Sequence, residues 1–245
     1  LLQWDPMTQK EALDILKMGH NVFLTGPAGS GKTYVLNEYI KYLKANEVDV
    51  GVTASTGIAA SHMGGMTIHS WTGLGIKDNL SRYDLEDLEA KSYLRKRLTK
   101  TKVLIIDEVS MLHHSRLDLV ELILHRLRRN DEPFGGLQVI FCGDFFQLPP
   151  VMRGGEQWAD ENLFYDTPKS NFAYHSSAWK NLDLRICYLE EQHRQLDKSY
   201  LDILNAIRSG TVSATIRERL NSRYNQPPNL SIEPTKLYSH NVNVD

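Results

Sequence analysis

The segment GPAGSGKT at residues 26–33 constrains the fold of this chain more than any other feature. It matches the phosphate-binding pattern G-x-x-x-x-G-K-[ST] in full, and it lies between a strand-like apolar run and a helix-like run. In such a loop the glycines let backbone N–H groups turn towards phosphates, and the following helix adds the positive end of its dipole. The segment therefore predicts a nucleotide site formed by Gly26, Pro27, Ala28, Gly29, Ser30, Gly31, Lys32 and Thr33.

Two side chains of this segment and two carboxylates further along the chain predict hydrolytic chemistry. Lys32 is expected to reach the β- and γ-phosphates, and the Thr33 hydroxyl is expected to hold Mg²⁺. Asp107 ends the strand-like run VLIID, and Glu108 follows it. A carboxylate at the end of a buried strand can coordinate the magnesium ion, and its neighbour can deprotonate the attacking water. The guanine-reading sequence N-K-x-D does not occur in the chain, so ATP is the favoured nucleotide.

Two further polar residues follow later strand-like runs and are candidates for contacts with the γ-phosphate. Gln147 lies in GDFFQLPPV, where the stiff Leu-Pro-Pro sequence that follows it can hold it in place. Arg194 follows the apolar run LRICYLEE and can supply positive charge. Taken by themselves, a glutamine and an arginine in such places are more often an ordinary loop residue and a surface residue.

Strand-like and helix-like apolar patterns alternate along the chain. Continuous apolar runs predict strands near residues 22–26, 50–54, 103–107, 138–143 and 185–189. A helical pair that contains Leu201, Leu204 and Ile207 is predicted after Arg194. Strands that alternate with helices are typical of an α/β domain, in which helices flank a central parallel sheet.

The composition favours an intracellular protein, although it does not indicate the compartment. No apolar run approaches the roughly 18 residues that a membrane span needs. The beginning of the chain has no signal-peptide pattern, and its first residue is Leu, which indicates a piece of a longer protein. Cys142 and Cys187 lie in apolar runs and are expected to be buried thiols.

Charge is distributed unevenly along the chain. Residues 50–76 contain no Lys, Arg, Asp or Glu, although 24% of the whole chain is charged, and they are rich in Ser, Thr and Gly. Residues 91–102, KSYLRKRLTKTK, carry six positive residues and no acidic one. The net charge of −2 gives no overall attraction to nucleic acid. A partner for the neutral segment therefore has to be inferred from other features.

Several segments together carry a family resemblance: MTQKEAL, GPAGSGKT, TASTGIAASHMGGMTIHSW, LIIDEVSML, PFGGLQVIFCGDFFQLPPV, FAYHSSAW and LEEQHRQ. Their order resembles that of the petite-integration-frequency helicases, which are RecD-like members of helicase superfamily one. The resemblance covers nearly the whole chain. It implies a RecA-like P-loop NTPase fold and an ATP-driven motor that moves 5′ to 3′ along single-stranded DNA and unwinds the duplex ahead of it.

The resemblance also implies roles for individual residues, with ATP and Mg²⁺ as cofactors. It implies that Gln9 reads the adenine edge, that Asp107 is a magnesium ligand and that Glu108 is the catalytic base. By the same resemblance Gln147 senses the γ-phosphate and couples it to DNA, and Arg194 is an arginine finger. For the carboxylates, these roles agree with those argued above from chemistry.

By resemblance, the neutral segment grips the backbone of single-stranded DNA. Hydroxyls and backbone N–H groups can bond phosphates at modest strength, whereas lysines would add a salt-dependent grip that slows release in each cycle. His69 can also stack on or bond a base, whereas Trp71 is expected to be a core residue and His62 a solvated loop residue. The leading candidates for DNA contacts are Thr56, Gly57, His69 and Ser70.

The resemblance implies a division of the chain. Residues 1–75 and 103–228 are expected to form the ATPase core, and residues 76–102 a small wedge-like insertion that works at a duplex fork. The basic end of that insertion is equally compatible with a DNA contact and with a solvated face. Residues 229–245 are expected to be a linker and the start of a truncated second RecA-like domain. The expected partners are single-stranded DNA, forked duplex DNA and that second domain of the same protein.

Two other classes of protein remain open from the residues alone. A P-loop ATPase that acts on a protein partner would keep the phosphate loop and the carboxylates, but DNA would not stimulate it. A binding-only module would retain nucleotide without turnover.

Overall fold

The computed structural model describes residues 7–150, 171–191, 195 and 197–226. The chain divides into two compact units, residues 1–194 and residues 195–245. Within the described residues, no helix is both long enough and apolar enough to cross a membrane. Cys142 and Cys187 are buried free thiols, as expected.

A parallel sheet forms the centre of the first unit. Its strands are β1 (Asn21–Thr25), β2 (Val50–Ala54), β3 (Met66–Thr67), β4 (Val103–Asp107), β5 (Gln138–Cys142) and β6 (Leu184–Tyr188). They form a six-stranded sheet in the order β3-β2-β4-β5-β1-β6, and every neighbouring pair is parallel. The strands expected from apolar runs are confirmed, with small shifts at their ends. Strand β3 could not be predicted from the sequence, because it is only two residues long and lacks an apolar run.

Helices connect the strands and cover the sheet. In the first unit they are α1 (Gln9–Lys17), α2 (Lys32–Ala45), α3 (Gly57–His62), α4 (Ile68–Thr72), α5 (Arg82–Ala90), α6 (Ser92–Lys100), α7 (His114–Arg128) and α8 (Ser177–Lys180). The second unit contains α9 (Lys198–Ser209) and α10 (Ala214–Asn221), which confirm the predicted helical pair. α1 begins at a capping box in which the side chains of Thr8 and Glu11 each accept the other's backbone N–H.

Apolar side chains cover both faces of the sheet. In β4, Leu104 and Ile106 belong to one buried cluster, and Val103 and Ile105 belong to another. Because successive side chains of a strand point to opposite faces, the two clusters lie on opposite sides of the sheet. α7 contributes Leu117, Val120, Ile123, Leu124 and Leu127 to the first cluster, and α2 contributes Val35, Leu36, Tyr39, Ile40 and Leu43 to the second.

The segment without charged residues, residues 50–76, forms β2, α3, β3 and α4. Trp71 is only 3% exposed and belongs to the cluster that contains Leu104, so the expectation of a core residue is confirmed. His62 is exposed, as expected, although it lies at the end of α3 and not in a loop.

Replacing Trp71 with alanine is expected to lower the free energy of unfolding by about 3–5 kcal/mol, because a large buried side chain is removed. The indole packs closely on β2, where a Cβ at Gly51 would lie 2.6 Å from Cζ2 of the ring. Denaturation by urea measures the difference. The matched control is Tyr83→Ala, because Tyr83 is 78% exposed, and it should change stability by less than about 0.5 kcal/mol. Equal stability of the Trp71→Ala and wild-type proteins would contradict the core position of Trp71.

Residues 76–102 contain α5 and α6 and contribute to the core of the first unit. Leu88, Leu94 and Leu98 are buried in the same cluster as Leu104. Nη1 of Arg97 donates to the backbone oxygen of Trp71 at 3.0 Å, which ties α6 to α4. The other basic side chains of residues 91–102 are exposed. Exposure is required both of a solvated face and of a DNA contact, so it agrees with either interpretation. The domain boundaries and the wedge role stay predictions.

Candidate functional site

The phosphate-binding loop connects β1 to α2, as its sequence predicted. Gly29 and Gly31 have φ angles of +86° and +85°, which residues with a side chain rarely adopt. Gly26 passes close to the chain that follows β6, since a Cβ on Gly26 would lie 2.2 Å from the backbone oxygen of Leu189. The path of the loop therefore requires glycine at these positions.

The Lys32 ammonium lies at the mouth of this loop. Its Nζ donates to the backbone oxygens of Gly26 at 2.8 Å and Pro27 at 3.0 Å. An adjoining cavity of about 440 Å³ has a volume typical of small-molecule sites. It is lined by Ala28, Gly29, Gly31, Lys32, Thr33, Tyr34, Glu108 and Gln147.

The two carboxylates at the end of β4 lie next to Lys32 and the loop. Asp107 is 8% exposed, and its Oδ1 accepts the backbone N–H of Glu108 at 2.9 Å. Glu108 lines the cavity and has a left-handed backbone with φ of +52°. Such a conformation costs a residue with a side chain roughly 1–3 kcal/mol and tends to occur at functional sites. The structure therefore brings Glu108 and Lys32 together, as predicted.

The surroundings of Glu108 suit a proton acceptor. Burial raises the pKa of its carboxyl group, and the nearby carboxylates of Asp107 and Asp144 raise this pKa further. The Lys32 ammonium acts on the pKa in the opposite direction. A higher pKa makes a carboxylate a stronger base, so this environment favours general-base chemistry.

Thr33 and Asp107 fit a magnesium ion that is shared with a nucleotide. Both line a second cavity of about 740 Å³, to which Glu108 and Gln147 also contribute. Among the described residues, no group of three or more His, Cys, Asp or Glu side chains could hold a metal ion by itself. Magnesium in nucleotide sites usually has one or two protein ligands, and phosphates and water complete its shell. A hydroxyl and a single carboxylate are therefore a sufficient set.

Gln147 reaches both cavities from the loop that follows β5. Its backbone N–H donates to the backbone oxygen of Asp144 at 2.9 Å, and its Nε2 donates to Oδ2 of Asp144 at 2.9 Å. The expected proximity of Gln147 to Lys32 and Glu108 is thus present. Asp144 is a residue of this site that the sequence patterns above did not predict. A Gly-Asp pair directly after a buried strand was the available signal.

Gln9 lies beside the phosphate-binding loop. Its Nε2 donates to the backbone oxygen of Ser30 at 3.3 Å, which places the amide against the loop. Tyr34, which was not predicted as a site residue, is 59% exposed and lines the smaller cavity. The adenine contact of Gln9 stays a prediction, and Arg194 lies outside the described residues.

The candidates for DNA contacts follow strands at the same edge of the sheet as the carboxylates. Ala54 at the end of β2 is in register with Asp107 of β4 on one side and with Thr67 of β3 on the other. Carboxyl ends of parallel strands meet at one edge of a sheet, where open α/β sheets bind their ligands. The residues that follow β2 and β3 at this edge include Thr56, Gly57, His69 and Ser70.

Hydrogen bonds fix the beginnings of the two short helices at this edge. The Thr56 hydroxyl accepts the N–H of Ala59 at 3.3 Å, and the Thr67 hydroxyl accepts the N–H of Ser70 at 3.2 Å. The Thr67 hydroxyl donates its own hydrogen to Oγ of Ser70 at 3.0 Å. A hydroxyl that accepts one bond, such as that of Thr56, can still donate its own hydrogen. Thr56 also lines the larger cavity, so the segment reaches the predicted magnesium ligands.

Comparisons with known proteins agree on one family. The family model of the PIF1-like helicase matches residues 7–218. The chain is 52% identical to the ATP-dependent DNA helicase Pif1 of Psychrobacter sp. strain PRwf-1, over 98% of this chain and 36% of that protein. The crystal structure of Pif1 helicase from Candida albicans has a TM-score of 0.83 and 35% identity, over 99% of this chain and 53% of that one. The crystal structure of Pif1 helicase from Bacteroides in complex with ADP-AlF3 and ssDNA has a TM-score of 0.75 and 33% identity, over 93% of this chain and 52% of that one.

These similarities confirm the RecA-like α/β fold expected from the sequence. The chain spans about a third of the length of the Psychrobacter relative and about half of each of the two solved chains. The family model covers most of the chain and contains the phosphate-binding loop, both carboxylates and Gln147. The chain therefore belongs to the PIF1-like helicase family.

Proposed function

We propose that this chain is the first motor domain of an ATP-dependent DNA helicase. In this proposal the domain binds single-stranded DNA and couples ATP hydrolysis to 5′-to-3′ movement and unwinding of the duplex ahead. The family match supports it, as does the related Bacteroides structure that contains both ADP-AlF3 and ssDNA. The relatives named above are DNA helicases, so they give no support to an ATPase that acts on a protein partner.

The residues around the two cavities divide the hydrolytic chemistry among them. Backbone N–H groups of the loop and the Lys32 ammonium bind the phosphates. Glu108 accepts a proton from the attacking water. Thr33 and Asp107 would hold Mg²⁺, which when bound neutralises charge on the phosphate oxygens.

Three further residues complete the nucleotide site in this proposal. Gln9 contacts the edge of the adenine from its position beside Ser30. Gln147 responds to the γ-phosphate region, and Arg194 provides positive charge there as an arginine finger. A second RecA-like domain of the same protein would form the other wall of the site, so we expect these 245 residues by themselves to hydrolyse ATP slowly and not to unwind.

The observation that carries the proposal is the direct connection between the catalytic carboxylates and the neutral segment. The backbone N–H of Ser55 donates to the backbone oxygen of Asp107 at 3.0 Å, one residue before Glu108. Thr56 follows at once and lines the same cavity as Asp107. In this proposal, a change in the position of the carboxylates during hydrolysis would act through this bond on the start of the segment that contacts DNA, and a motor needs such coupling.

The neutral segment, residues 50–76, is suited to DNA contacts that form and break in each cycle of ATP hydrolysis. Hydroxyls and backbone N–H groups bond phosphates without reading sequence, and the absence of lysine and arginine limits the salt-dependent part of the affinity. We propose that Thr56, Gly57, His69 and Ser70 make these contacts. Residues 76–102 would act as the wedge at forked duplex DNA, with the exposed basic face of α6 towards the duplex.

Strand displacement by the full-length protein tests this proposal. The substrates are two duplexes of equal sequence, one with a 5′ single-stranded tail and one with a 3′ tail. We expect ATP-dependent unwinding of the 5′-tailed duplex only. Unwinding of both substrates at the same rate would contradict the polarity, and robust unwinding by residues 1–245 alone would contradict the need for a second domain.

A further inference from the structure

The loop at residues 143–147 contains a buried carboxylate whose only effect described so far is to raise the pKa of Glu108. Asp144 is 1% exposed. Its Oδ1 accepts the backbone N–H of Phe146 at 3.1 Å, and its Oδ2 accepts a hydrogen from Nε2 of Gln147 at 2.9 Å. The second of these bonds is made to a side chain that lines the nucleotide cavity.

This bond determines which end of the Gln147 amide is available to the cavity. A carboxylate only accepts hydrogen bonds, whereas a glutamine amide has a donating NH₂ end and an accepting oxygen. The NH₂ end must therefore face Asp144. The oxygen Oε1, on the other corner of the amide plane, is left to accept a hydrogen bond from the cavity side.

We propose that Asp144 is a positioning residue, which holds the Gln147 amide so that its Oε1 accepts a hydrogen from the attacking water. Glutamine side chains orient the attacking water in other nucleotide hydrolases. Gln147 would thus act mainly on the water, together with Glu108, and not mainly as a donor to the γ-phosphate. The inference rests on the proposed ATPase function.

The surroundings of Asp144 keep this arrangement in place. On one side, the chain at Gly143 touches the turn after Glu108, where a Cβ on Gly143 would lie 3.0 Å from the backbone nitrogen of Val109. On the other side, the ring of Phe145 packs in an aromatic cluster, with ring centroids 4.8 Å from Tyr174 and 5.3 Å from Phe23. The loop is therefore anchored at both neighbours of Asp144, as a preorganised site requires.

The role of Asp144 in the local turn must be separated from its proposed role in positioning Gln147. An Asp side chain that accepts the N–H two residues later forms an Asx-turn, and Asn forms the same turn. Asp144→Asn keeps an oxygen for the N–H of Phe146 but turns an NH₂ group towards Nε2 of Gln147. Two donors then face each other, and the Gln147 amide has to rotate, which presents its NH₂ end to the cavity.

The experiment is a mutant cycle in the full-length protein, with kcat of the ssDNA-stimulated ATPase and the Kd of a fluorescent ADP as readouts. The variants are Asp144→Asn, Gln147→Ala and the double variant. Asp131→Asn is the matched control, because Asp131 is exposed and precedes β5, whereas the loop at residues 143–147 follows that strand. We expect Asp144→Asn to lower kcat by about tenfold or more and to change the Kd by less than about twofold. In the Gln147→Ala background the same change should lower kcat by less than about twofold.

Two outcomes would overturn the inference. If Asp144→Asn keeps a kcat within about twofold of wild type, the carboxylate serves the turn alone. If Asp144→Asn lowers kcat by the same factor in the wild-type and Gln147→Ala backgrounds, the Asp144 carboxylate does not act through Gln147. A general loss of folding would give this same result. Lys32→Ala in the same series separates the inference from the proposed function. Wild-type turnover in that variant would contradict the ATPase site itself, whereas an inactive Lys32→Ala beside a fully active Asp144→Asn overturns only the role of Asp144.

Discussion

Replacing Glu108 with glutamine is expected to lower the maximal rate of ATP hydrolysis by about 10²- to 10⁴-fold, the range that a general base contributes. Glutamine has the same shape but cannot take the proton of the attacking water. The environment of Glu108 supports this role, because burial and the carboxylate of Asp107 raise its pKa above the usual value. Nucleotide affinity should change little, because the phosphate contacts come from the loop and from Lys32.

Steady-state ATPase rates and nucleotide titrations of the Glu108→Gln protein measure these effects. Glu132→Gln is the matched control, because Glu132 is exposed and its loss should leave the rate unchanged. An unchanged rate in Glu108→Gln would instead support a module that binds nucleotide without using Glu108 for turnover.

Replacing Lys32 with alanine is expected to weaken nucleotide binding by about 10- to 100-fold, because hydrogen bonds to charged groups are lost. The rate of hydrolysis should fall by roughly 10²- to 10³-fold as well, since the ammonium stabilises charge that develops on the phosphates. The bonds from Nζ to Gly26 and Pro27 hold the ammonium at the mouth of the loop, where phosphates are expected.

Binding of a fluorescent ADP and the ATPase rate are the two measurements for Lys32→Ala. Lys41→Ala, further along α2, serves as the control because the Lys41 side chain is 73% exposed and pairs with Glu38. Both quantities should match wild type in this control. Wild-type affinity in Lys32→Ala would contradict the assignment of residues 26–33 as the phosphate site.

The parts of the fold that depend on local pattern could be predicted from the sequence. The phosphate-binding loop has a fixed length and composition because its backbone path needs glycine, as the left-handed Gly29 and Gly31 show. The longer strands were predictable because strands buried on both faces read as continuous apolar runs. Asp107 and Glu108 could be placed for the same reason, since they follow directly after such a run.

Features that depend on tertiary contacts could not be predicted. The two-residue strand β3 exists because it pairs with β2, and its own sequence has no strand pattern. Leu88, Leu94 and Leu98 are buried with the sheet, which the charged sequence around them did not indicate. The role inferred for Asp144 depends on which side chain meets its carboxylate, and that contact appears only when the loop is folded.

The steady-state ATPase rate of the full-length protein, measured with and without a poly-dT oligonucleotide, tests the central claim most directly. We expect DNA to stimulate this rate by about tenfold or more, which is in the range of ordinary coupling between two sites. Lys32→Ala should abolish that stimulated rate. An ATPase rate that does not respond to DNA would contradict the account, because the neutral segment would then bind a partner other than single-stranded DNA.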